Sequence, residues 1–63
     1  HSAYQVAEIY AYRGDVEEAF RWLNIAFDQH DGGLQEIKGN PLLRPLHQDP
    51  RWPQFMTMMN LPL

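Results

Sequence analysis

The chain of 63 residues contains no cysteine. Disulfide staples are therefore excluded, and nothing in the sequence speaks for an oxidising compartment. Cations are scarce. Five Lys and Arg are scattered against eight Asp and Glu, for a net charge of −3. No basic stripe exists to neutralise phosphates, so nucleic acid is not an expected partner. No apolar run approaches the roughly 18 residues that span a bilayer. Arg51 alone does not give the last helix the basic polar face of a membrane-surface helix. No signal-peptide pattern opens the chain, and a cytoplasmic location is expected. Period-two alternation long enough for a strand is missing as well.

The chemistry of catalysis is equally thin. Ser2 and Thr57 are the only hydroxyls besides the tyrosines, and Ser2 is better explained as a helix cap. His1, His30 and His47 stand far apart with no cysteine to complete a ligand set, so no metal is expected. Asp15, Glu17 and Glu18 suit a helix start rather than paired acid–base work. Gly32-Gly33 lacks the preceding strand and following Lys-Ser/Thr of a phosphate loop. Met56, Met58 and Met59 read as gap-filling core or soft contact surface, with Met58 off the main stripe. No enzyme and no cofactor are expected.

What is present is helix. The hydrophobic fraction of 44% suffices for a core, although a domain this small buries only about 60% of its unfolded surface. Such a core supplies about 3–5 kcal/mol. Residues 2–13 are predicted to form a first helix capped by Ser2 with Gln5 three residues on. Ala3, Val6, Ala7 and Tyr10 share one face. Ile9, Tyr4 and Tyr12 widen it. Gly14 ends the helix, and Asp15 caps the next, which is predicted over residues 16–29. Val16, Ala19, Leu23 and Ala26 form its stripe, flanked by Phe20, Trp22, Ile25 and Phe27. Apolar on so many sides, it should be contacted from several directions. Glu17 and Arg21 stand at i, i+4.

Asp31, Gly32 and Gly33 close that helix. A short helical turn is predicted over 34–38 and a short helix, partly 3₁₀, over 41–47, with Asn40 as cap and Pro41 at its start. Asp49-Pro50 repeats that signal before a last helix over 50–59. Leu61-Pro62-Leu63 reads as a terminal extension. The fold class is all-α: an antiparallel helical hairpin over 1–33, then a capping segment of short helices over 34–63. Leu42, Leu43, Leu46, Trp52, Phe55 and Met59 are the residues expected to cover Trp22, Ile25 and Phe27.

Ala7, Tyr10, Gly14, Ala19, Leu23 and Ala26, with Val6 before them, carry a resemblance to the tetratricopeptide repeat. Ala7 and Ala19 let the helices approach closely, Tyr10 fills the gap beside them, and Leu23 and Ala26 extend the contact. The pattern departs at Ala3, where the family has a large aromatic, and at Asp31, where it has proline. These departures imply weaker packing at the first helix start and a less rigid turn after the second. The tail, from Leu34 and Ile37 through Pro41-Leu42-Leu43, Pro45-Leu46 and Asp49-Pro50-Arg51-Trp52 to Phe55, resembles the segment after the last repeat in some bacterial multidomain proteins. The chain, which begins with His1, then reads as a piece of a longer protein.

The resemblance implies a protein-interaction module of a larger signalling or regulatory protein. Its groove would present Tyr4, Glu8, Ala11 and Tyr12, with His1 at the edge. Glu8 stands where the family's grip on terminal carboxylates needs cations. The expected partner is a protein or peptide with an amphipathic or basic segment. A purely structural role, packing against preceding repeats of the parent chain or weakly against a second copy, is the alternative.

Overall fold

The computed structural model describes residues 2–59, and these residues are all-α, with no strand among them. Helix α1 spans Ala3–Tyr12 and α2 spans Val16–Asp28. Two consecutive 3₁₀ segments follow, Gly32–Gly39 and Pro41–Leu46, and α3 spans Arg51–Met58. His1 and the expected Leu61-Pro62-Leu63 extension lie outside the described residues.

The hairpin begins as its caps dictate. Ser2 Oγ accepts from the Gln5 amide at 3.1 Å, and Asp15 Oδ1 accepts from the Glu18 amide at 3.4 Å. Between the helices the chain turns in three residues. Gly14 takes φ +83, while the Gly14 amide donates to Ala11 and the Asp15 amide to Tyr10. This is a Schellman closure, and it uses glycine's cheap access to the left-handed region. The residue that completes the first helix's cap thus also starts the second helix. The α1–α2 contact is built on small side chains: Ala7, Ala19 and Ala26 are fully buried beside Leu23. Without bulk at these positions the two backbones pack closely.

α2 closes by the same device with a less suitable residue. His30 takes φ +56, its amide donates to Phe27, and the Asp31 amide donates to Ala26. Asp31 does not leave the looser turn expected of it. Its carboxylate accepts from the Gly33 amide at 2.9 Å and, across 27 residues of sequence, from the Tyr4 amide at 3.2 Å. The start of α1 is thereby tied to the end of α2, because one carboxylate fills orphan donors of two helical segments. Nor is packing weak at the first helix start. Ala3 is buried, and the neighbouring Tyr4 supplies the aromatic bulk at 3% exposure.

The first two segments of the tail are 3₁₀, where a short helical turn and a partly 3₁₀ helix were expected, and its last helix is α as expected. Three glycines flank or interrupt Gly32–Gly39, and Pro45 removes a donor from Pro41–Leu46. Both weaken an α-helical ladder. A 3₁₀ helix has about three residues per turn, so side chains at i and i+3 eclipse. Leu34 and Ile37 are accordingly both buried, as are Leu43 and Leu46. Asn40 lies midway in the same period-three run. Leu42 falls off it and stays 40% exposed, contrary to the covering role expected of it.

The tail also covers a different face from the one expected. Its second 3₁₀ segment packs on α1 rather than on the flank of α2. Only α3 reaches α2. Phe55 meets Phe27 edge-on with ring centroids 6.4 Å apart, and the Arg51 guanidinium lies 5.0 Å from the Phe20 ring centroid. Trp22 and Ile25 remain half-buried. Arg21 pairs with Glu18 at 3.2 Å, not with Glu17. Buried residues from 3 to 56 belong to one cluster, so the boundary at 33/34 separates two helix types sharing a single core.

Candidate interaction surface

Tyr4, Glu8 and Ala11 follow one another at i, i+4 and i+7, so they share a stripe of α1. This stripe faces the tail. The Tyr4 ring is buried, with Gly33 so close that a Cβ there would stand 2.6 Å from Tyr4 Cδ2. The Tyr4 hydroxyl accepts from Asn40 Nδ2 at 2.8 Å, and the same amide donates to Glu8 Oε2. Ala11 has no exposed surface. Burial holds the Tyr4 phenol above its ordinary value near 10, opposed by the Asn40 hydrogen bond and reinforced by the Glu8, Glu36 and Asp31 carboxylates. The Gly33 and Tyr4 amides hold the Asp31 carboxyl below its ordinary range.

The expected groove of Tyr4, Glu8, Ala11 and Tyr12 is therefore not a single surface. Tyr4 and Ala11 are closed off because the tail lies on them. Glu8 stands at the tail's edge, half-buried, and Tyr12 is 76% exposed. The packing set lies apart from both, with Ala7, Ala19, Leu23 and Ala26 fully buried, Tyr10 half-buried under the Arg13 guanidinium and Gly14 in the turn.

A different surface forms beside the tail. Gln5, Ile9 and Tyr12 make a neighbouring stripe of α1, again at i, i+4 and i+7. With Glu8 and with Leu42 from the second 3₁₀ segment they line an open depression of ≈ 480 Å³. Ile9 is 57% exposed. Sequence reasoning placed Ile9 on a widened core face and Leu42 in the cover. The signal available was that α1 carries three apolar stripes, one more than α2 and a short tail can bury. Across Glu8 lies a second open depression of ≈ 570 Å³, lined by Glu8, Gln35, Glu36, Gly39, Asn40 and Pro41.

Elsewhere, His47 stacks on Trp52 with ring centroids 4.3 Å apart. Among the described residues no group of three His, Cys, Asp or Glu is placed to hold a metal ion, and no helix is long and apolar enough to cross a membrane. Compared with known proteins, the chain matches no family model, no curated protein and no solved structure.

Proposed function

We propose that this chain acts by binding rather than by catalysis, as a protein-interaction module. In this reading it is a tetratricopeptide-like hairpin that carries its own closing tail, and it belongs to a larger regulatory protein. One observation carries the reading. Among the described residues the exposed large hydrophobics are Ile9, Tyr12, Leu42 and Met58. Three of these four line one depression. Scattered exposed hydrophobics need no explanation, but apolar side chains gathered on two different elements mark a contact surface.

The test is a photoreactive phenylalanine analogue placed at Tyr12, and separately at Met58, in the full parent protein. A discrete protein adduct from position 12 is expected, reduced by Ile9→Ser and Leu42→Ser and not matched from position 58. Adducts formed only within the parent chain would move the surface to a structural role against neighbouring repeats. No adduct preference between the two positions would end the reading.

A further inference from the structure

The two depressions on either side of Glu8 specify what this surface takes. The first is mainly apolar: Ile9, Tyr12 and Leu42 line it with Gln5 and the shared Glu8. The second carries two carboxylates, Glu8 and Glu36, and no cationic side chain lines it. Both carboxylates also act on the Tyr4 phenol, so they share one locality. The Asn40 amide neutralises neither. It donates to Glu8 Oε2, and both Glu8 and Glu36 line the depression. Lys38 and Arg44, with His47, line a different hollow, which shares Gly39, Asn40 and Pro41 with this one.

From this arrangement we infer that the surface binds a basic amphipathic peptide segment of a partner protein. A large apolar side chain of the segment seats against Ile9, Tyr12 and Leu42. A lysine or arginine a few residues away reaches the Glu8–Glu36 pair. The inference rests on the interaction reading above and gives the partner its chemistry. Charge complementarity selects this occupant. A second copy joined across a two-fold axis would bring the same patch against itself. Glu8 and Glu36 would then face their own copies, in a chain of net charge −3. Acidic peptides meet the same repulsion. The apolar depression supplies affinity and the carboxylates supply discrimination, because an exposed ion pair adds little energy by itself.

A peptide panel tests this on the full chain. Leucine or phenylalanine is combined with Lys, Glu or Gln three or four residues away, all other positions being randomised. Binding is read by fluorescence anisotropy and by backbone amide shifts. Lys peptides are expected to bind about fivefold more tightly than Glu peptides, the scale of one exposed ion pair. Their shifts should centre on Glu8, Ile9, Tyr12 and Glu36. The combined variant Glu8→Gln, Glu36→Gln is expected to erase the preference while keeping the apolar contact. A glutamine side chain in place of Glu8 can still accept from Asn40, so the variant leaves the tail anchored. Raising salt from about 50 to about 500 mM should shrink the preference in the wild-type chain. Equal binding of Lys and Glu peptides at Ile9 and Tyr12 overturns the charge inference and leaves the interaction surface standing. Failure of every peptide to shift Ile9 or Tyr12 overturns both. Self-association by sedimentation velocity that is lost on Ile9→Ser assigns the surface to a second copy and overturns the inference.

Discussion

Between Ala3 and Asp28 the chain buries itself through regular helices whose contact is made of alanines. Between Gly32 and Leu46 it does so through 3₁₀ turns that bury one large side chain every third residue or so, and then through the short helix α3. The hairpin holds by many small contacts between close backbones. The tail holds by a few anchors, Ile37, Leu43, Leu46, Phe55 and Met56, and by two polar residues, Asp31 and Asn40, that reach back to α1. Neither half is complete alone. Without the tail, Tyr4 and Ala11 would lie open; without α1, the stripe from Leu34 to Leu46 would have nothing to cover. The physical lesson concerns division of labour. Regular helices supply the platform, and an irregular segment decides which of its faces stays exposed.

The largest expected effects come from opposing the two halves directly. Leu23→Ala in the hairpin and Leu43→Ala in the tail each empty a fully buried site and should cost about 3 kcal/mol, close to the whole stability of such a domain. Trp22 and Trp52 lie one in each half, so Trp22→Phe and Trp52→Phe backgrounds report on the halves separately in urea titrations. Coincident midpoints are expected in both alanine variants, since the buried residues form one cluster. A Leu43→Ala chain in which Trp52 is released while Trp22 and helical circular dichroism persist would divide the molecule into two independent units.

The joint between the halves gives the next effect. Gly33→Ala places a Cβ against the buried Tyr4 ring, which cannot step aside without disturbing the core. A cost of about 2 kcal/mol is expected. A Tyr4→Leu background should relieve at least part of it, giving a coupling of about 1 kcal/mol in a double-mutant cycle. Additive effects would show that the close approach of Tyr4 and Gly33 carries no energy.

Asp31 sharpens the same joint through pH. Its carboxyl is held below the ordinary range by the Gly33 and Tyr4 amides. The folded state thus binds a proton less readily than the unfolded chain. The stabilisation is complete above the ordinary carboxylate value near 4 and is lost as pH falls through it and below. Asp31→Asn should cost about 1 kcal/mol at neutral pH and flatten the fall in thermal midpoint between about pH 5 and about pH 3. An unchanged acid profile in the variant would remove Asp31 from the joint. Tyr4 works in the opposite direction. Its raised phenol pKa means stability is full below about 10 and declines as pH climbs beyond it.

The hairpin was legible in the sequence because its signals are local and redundant. Ser2, Gly14 and Asp15 mark ends, and the alanine spacing repeats at three and four. The tail was legible as punctuation but not as geometry. Asn40-Pro41 and Asp49-Pro50 marked the restarts, yet a helical period put Leu42 inward. A period of three would have put Leu34, Ile37, Asn40, Leu43 and Leu46 on one side and Leu42 outside, as found. The proposed contact surface suffered from the same slip. With the tail assigned to α2, Tyr4 and Ala11 stayed open on paper, and Ile9 was absorbed into the core. Asp31 was misjudged for another reason. Its value lies in an amide 27 residues away, and no local pattern shows that partner.

The smallest effect expected lies in the closures of the two hairpin helices. Gly14 and His30 close their helices with the same hydrogen bonds, at φ +83 and φ +56. Glycine enters this region freely, whereas a residue with a Cβ gives up about 1–2 kcal/mol there. His30 is exposed, so no packing offsets that strain. His30→Gly should recover it, less the about 0.5–1 kcal/mol that glycine's greater freedom adds to the unfolded chain. The net gain is about 0.5 kcal/mol, read as a higher urea midpoint at unchanged slope. The reverse exchange at the other closure, Gly14→His, should lose a similar amount, since a Cβ at Gly14 meets nothing within 4 Å and backbone strain is the whole difference. Equal and opposite shifts would show that the two closures are one device. A destabilising His30→Gly would mean that the imidazole contributes something to the second closure that its exposed position does not show.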